Sequence, residues 1–99
     1  MFLGSYDFDG DPETLLEAYN RLAAGFPPGA LQLHVCVTRE GGLTVFDGCP
    51  SKEVFLQFSA GEMFAAAVAA AGLPTPRVTP LGEVKNAVMR STDPESKDR

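Results

Sequence analysis

In the segment LQLHVCV, residues 31–37, apolar residues occupy every second position, the period of a β-strand. Leu31, Leu33, Val35 and Val37 form one face, and Gln32, His34 and Cys36 form the other. Residues 2–8 are also strand-like, rich in aromatic and apolar side chains. DGDPET then signals a helix. Asp11 can cap free backbone N–H groups, Pro12 suits the first helical position, and Glu13 favours the positive end of the helix dipole. Leu15, Leu16, Tyr19, Leu22 and Ala23 recur at helical spacing. Gly25 and Pro27-Pro28 predict where that helix stops.

REGG marks a hairpin turn, and LTVFDGC, residues 43–49, is the return strand. Ser51 follows Pro50 as the cap of a second helix with Val54, Phe55, Leu56 and Phe58. Ser59 and Glu62 have capping-box spacing inside that helical stretch, so a break is expected there. Met63, Phe64, Ala67, Val68 and Ala71 continue beyond it to Gly72. A last strand is predicted over residues 77–89. The order β-α-β-β-α-β predicts an α+β fold of ferredoxin-like plan: a four-stranded antiparallel sheet with both helices on one face. On that plan Leu31, Leu33, Val35 and Val37 belong beneath the helices.

The other face of this strand then lies open. Directly opposed residues in a hairpin share a face. Any even-length loop brings His34, Cys36, Asp47 and Cys49 together, whereas an odd loop or a bulge substitutes Thr44 and Phe46. The last strand divides similarly, with Val78, Val84 and Val88 on one side and Arg77, Thr79, Leu81, Glu83, Lys85 and Ala87 on the other.

Composition adds limits. The 99 residues suit one domain, expected over residues 1–90, with a polar, disordered tail at 91–99. A net charge of −5, with basic residues scattered, argues against nucleic acid as a partner. No apolar run is long enough to span a bilayer, and no export signal is evident, so a cytoplasmic location with free Cys36 and Cys49 is expected.

His34 is the one histidine in the chain. An imidazole with Asp47 orienting its ring makes a general base, so His34 and Asp47 are the candidate catalytic pair. Such a base takes a proton from a phenol or from a carbon beside a carbonyl. The plain alternative is a histidine hydrogen-bonded at an interface. Tyr6, Cys36 and Lys85 are candidate ligand contacts, Lys85 for an anionic or phenolic group. His34, Cys36, Asp47 and Cys49 are metal-ligand types, but H-x-C with D-x-C is not a recognised zinc spacing, and one histidine without a haem motif is thin ground for haem. No metal or cofactor is expected.

From Tyr6 to Val88 the chain resembles the dimeric α+β barrel superfamily, in particular its small bacterial members of uncharacterised activity. The resemblance rests on YDFDGDPE, LHVCV, DGCPSKEVFLQF and GLPTPRV…LGEVKNAVM in that order. Where similar small proteins carry Val-His-Asn, this chain has Val84-Lys85-Asn86. The resemblance implies a homodimer closed by open sheet faces, a lumen for a small organic molecule, and activities such as cofactor-independent monooxygenase, isomerase or cyclase. A non-catalytic structural or ligand-carrying homodimer is the alternative. On this reading His34 and Cys36 face the second subunit.

Overall fold

The computed structural model describes residues 1–26 and 31–90. The predicted stop at Pro27-Pro28 and the predicted tail at 91–99 lie outside the described residues. The chain forms β1 (Phe2–Asp9), α1 (Pro12–Ala23), β2 (Leu33–Arg39), β3 (Gly42–Cys49), α2 (Lys52–Ser59), α3 (Glu62–Ala71) and β4 (Arg77–Glu83). The strands make one open antiparallel sheet in the order β2-β3-β1-β4. Each helical connection therefore joins strands that have another strand between them. The architecture is α+β with three helices rather than two.

The caps follow local chemistry. Asp11 accepts from the Thr14 backbone N–H and hydroxyl, both at 2.9 Å, with Pro12 opening α1. Ser51 accepts from the Val54 N–H at 3.2 Å and opens α2. The expected break between α2 and α3 is present, but its chemistry differs. Gly61 is the N-cap of α3 and supplies no side-chain bond. Ser59 instead donates its hydroxyl to the Leu56 carbonyl at 3.3 Å. Gly72, at φ +89°, ends α3 in the left-handed region, where glycine avoids a Cβ clash. Arg21 near the end of α1 donates to the Ala71 carbonyl at the end of α3, which ties the two helices together. β4 stops at Glu83 rather than 89. No single described helix is long and apolar enough to cross a membrane.

The hairpin has an even register. Arg39 pairs with Gly42, Thr38 with Leu43, Cys36 with Val45 and His34 with Asp47. Glu40 and Gly41 make the turn, and Gly41 takes φ +80°. β1 pairs Phe2 with Cys49, Gly4 with Asp47, Tyr6 with Val45 and Phe8 with Leu43. All of these share one face. Phe55 of α2 meets Phe2 and Tyr6 there, at ring-centroid distances of 5.9 and 5.6 Å, and Phe64 of α3 meets Tyr6 at 5.0 Å. This is the helix-covered face.

The assignment of faces in β2 is thus corrected. His34 and Cys36 turn toward the helices of their own chain. Val35 and Val37, expected beneath the helices, lie on the open face, 40% and 42% exposed. The reason is that β1 and β3 set the sheet's polarity. Phe2, Tyr6, Phe8, Leu43 and Val45 are the strongest apolar set, and antiparallel pairing carries their parity outward to β2. β2 is an edge strand, so its helix-side face is only partly covered and tolerates polar residues.

Gly4 sits on the covered face beneath Phe55, and a Cβ there would run into the Phe55 ring. Gly4→Ala should therefore lower stability by about 1–3 kcal/mol, the usual cost of overpacking a filled core. Urea unfolding checks this. The midpoint should fall with an unchanged slope, and Phe55→Leu should recover part of the loss in the Gly4→Ala background.

Candidate functional site

β2, β3 and α1 together build one hydrogen-bonded chain of side chains. Asp47 lies in β3 opposite His34 in β2, and its Oδ1 is 2.6 Å from His34 Nδ1. Tyr19 comes down from α1, and its hydroxyl hydrogen-bonds His34 Nε2. The phenol and imidazole rings are nearly parallel, with an interplanar angle of 10°. Leu15 and Ala18 seat α1 in the core, with Tyr19 and Leu22 packed against it. Tyr19 is thereby directed at the half-covered edge strand.

Burial gives each member its role. Asp47 is only 4% exposed, whereas the His34 side chain is 33% exposed. Burial pushes the Asp47 carboxyl above the usual aspartate range, and the hydrogen bond and charge of His34 pull against that rise. An ionised Asp47 only accepts, so it fixes the ring proton on Nδ1 and leaves Nε2 to accept from the Tyr19 hydroxyl. Burial, followed by nearby Cys36 and Asp47, raises the Tyr19 phenol above its ordinary value, so it keeps its proton at neutral pH. The set can pass a proton from Tyr19 to His34 while Asp47 stabilises the imidazolium, the logic of a nucleophile–histidine–aspartate triad with a phenol at its head.

The triad borders a cavity of about 500 Å³ between the sheet and the helices of the same chain. Tyr6, Val45 and Cys49 form part of its sheet wall, Leu22 part of its α1 wall, and Val54 and Phe58 part of its α2 wall. Among the described lining residues there is no Lys or Arg, and Asp47 is the one carboxylate. This volume falls within the range of small-molecule sites, as does a mostly apolar wall with a few convergent polar groups.

Of the residues proposed from sequence, the structure brings His34, Asp47 and Tyr6 to this cavity. Cys36 is half-buried against the core and is not part of the lining, and burial raises its thiol pKa. Lys85 is exposed and does not line the cavity. Among the described residues, no three His, Cys, Asp or Glu side chains converge as a metal site. In the sequence Tyr19 reads only as part of an apolar stripe. The available signal was its hydroxyl, because a tyrosine on a core-facing stripe needs a polar partner.

The raised pKa of Asp47 has a stability consequence with a definite sign. Between the unfolded value, about 4, and the higher folded value, the folded chain binds more protons than the unfolded chain. The burial cost is absent below that window and fully present above it, so Asp47 makes stability fall as pH rises through it. Asp47→Asn keeps an acceptor for His34 Nδ1 but cannot ionise. The urea midpoint of the Asn variant should therefore gain on the native chain from about pH 4 to neutrality. A midpoint that shifts the other way would mean that the pairing with His34 outweighs the burial.

Comparison with protein-family models, with curated proteins and with solved structures finds no match to this chain.

Proposed function

We propose that this chain is a small-molecule-binding protein whose Tyr19–His34–Asp47 set performs proton transfer on a ligand held between sheet and helices. The observation that carries the reading is the placement of that set at the wall of the cavity. His34 Nε2 is already engaged by Tyr19, so the phenol is the group presented to a ligand. A ligand X–H gives its proton to the Tyr19 oxygen as the Tyr19 proton moves to His34 Nε2. The products are the ligand anion, neutral Tyr19 and an imidazolium paired with Asp47. Return of the proton to a different atom is isomerisation. Attack by the anion on another carbon of the same molecule is cyclisation, and its reaction with dioxygen is oxygenation. A second reading, a non-catalytic ligand carrier, is favoured by one observation: both imidazole nitrogens already have partners within the chain.

The finer fold reading is a ferredoxin-like domain in which α2 and α3 together take the place of one helix. The interleaved strand order and the uncovered sheet face support it. A second copy of this chain is the partner proposed for that face. Val35, Val37 and Phe46 give it an apolar centre. Asp7 and Asp9 are balanced there by Arg39 and Arg77, linked partly through Thr44, so the face has no excess charge to repel its own copy. Covering the 40% of Val35 and 42% of Val37 still exposed contributes roughly 1 kcal/mol each, which favours closure.

Native mass spectrometry of freshly purified protein tests both proposals. A species at twice the 10.5 kDa chain mass is expected, carrying a small organic molecule lost on collisional activation. Val35→Glu should give a folded monomer by circular dichroism, because the charge would be buried at the centre of the interface. A monomeric native protein, or a Val35→Glu dimer, would remove the open face as the interface.

A further inference from the structure

We propose that the ligand of the cavity is a neutral, largely apolar carbonyl compound, and that Tyr6 donates a hydrogen bond to its carbonyl oxygen. This rests on the reading of the cavity as a ligand site and names the class of molecule it takes.

Two independent observations lead to it. The first is charge. No Lys or Arg lines the cavity among the described residues, and Asp47 is a buried carboxylate in its wall. A carboxylate or phosphate ligand would lose its hydration there and meet a like charge, with no cation to compensate. Neutral molecules face no such cost.

The second is an orphaned donor. Tyr6 lines the cavity, is 2% exposed, and its buried hydroxyl has no hydrogen-bond partner among the described residues. Buried hydroxyls are normally paired, and an unpaired one calls for an explanation. The hydroxyl is closed to solvent in the free chain, and a ligand oxygen entering beside the Tyr6 ring in the cavity wall is the partner that would pair it. Burial, with Asp47 and Cys49 close by, raises the Tyr6 phenol far above its usual value, so it remains a donor at any physiological pH. A phenol held in its protonated state donates to a carbonyl oxygen, and the bond strengthens as negative charge develops there.

Tyr6 and Tyr19 then have complementary tasks. Tyr19 comes from α1 beside the edge strand β2, and Tyr6 from the interior strand β1, with β3 between those strands. The C–H bond next to the carbonyl breaks, and its proton passes through Tyr19 to His34. The electron pair of that bond forms the carbon–carbon double bond of an enolate, and the carbonyl π pair moves onto oxygen. That oxygen lies on the Tyr6 hydroxyl. No oxidant or further reactant is required.

Three bicyclic probes test the assignment on the full-length protein: β-tetralone, the hydrocarbon tetralin, and naphthoate. Dissociation constants come from calorimetry or ligand-observed NMR. β-Tetralone should bind about tenfold more tightly than tetralin, the weight of one net hydrogen bond, and naphthoate should bind most weakly. Tyr6→Phe should erase the preference for the ketone, leave tetralin binding unchanged, and keep or raise the thermal midpoint, because the lost hydroxyl has no protein partner. Preference for naphthoate, no preference for the ketone, or a preference that survives Tyr6→Phe would overturn the assignment, as would failure of all three probes to bind.

Deuterium exchange at the acidic carbon of β-tetralone separates this inference from the proton-transfer reading. Exchange lost in Tyr19→Phe and slowed in Tyr6→Phe supports both. A Tyr6-dependent preference without catalysed exchange leaves this assignment standing and defeats the proton-transfer reading. Exchange that is Tyr19-dependent but indifferent to Tyr6→Phe does the reverse.

Discussion

A carboxylate buried under a helical layer has to be paired, and Asp47 is paired with His34. Much of the structure around it follows from that requirement. The hairpin must hold the register that sets the two residues opposite each other. α1 must lie close enough for Tyr19 to meet the far side of the imidazole. The ring must be on the helix-covered face, where burial makes the pairing consequential. A one-residue slip of β2 would send His34 to the open face and leave Asp47 alone beneath the helices. The hydrophobic pattern of β2 alone would tolerate that slip, because Leu33, Val35 and Val37 would then face the core. The Asp47–His34 pair opposes it.

The cavity is a product of how the same layer is filled. On the β1 side, Gly4 lets the Phe55 ring seat against the sheet, and Tyr6, Phe55 and Phe64 close together as an aromatic cluster. On the β2 side, α1 presents Tyr19 and Leu22 to a strand face carrying His34 instead of a large apolar residue. Dense packing at one end and a polar edge at the other leave a space of about 500 Å³ between them. The triad and Tyr6, whose hydroxyl is unpaired among the described residues, both border that space, so its chemistry and its shape are linked.

Much of this was legible in the residues. The strand periods, the Asp11 and Ser51 caps and the break near Ser59 placed the elements, except that β4 ends at Glu83, well short of residue 89. The even hairpin loop, one of two open readings, brought His34 and Asp47 together. The inverted face of β2 was not legible from LQLHVCV itself, since alternation shows two faces without saying which is covered. The stronger signal was in β1. There the aromatic residues Phe2, Tyr6 and Phe8 fall at even positions, and Ser5, Asp7 and Asp9 at odd ones. Carried through the pairing, that parity places His34 inward. The capping-box spacing of Ser59 and Glu62 does not form the cap of α3, because Ser59 has a local alternative in the Leu56 carbonyl. Lys85 was attractive as a residue type, yet β4 ends before it and leaves it exposed. Tyr19 required a tertiary contact between α1 and an edge strand, which no local pattern contains.

The most direct measurement is nitrogen-15 NMR of the imidazole, because the chain has a single histidine and its ring signals need no assignment. The Asp47–His34 bond requires a proton on Nδ1, shifted downfield by Asp47 and slow to exchange. The Tyr19–His34 bond predicts an Nε2 resonance that moves when Tyr19 becomes Phe. A ring protonated only on Nε2, exchanging freely and indifferent to both Asp47→Asn and Tyr19→Phe, would contradict the account.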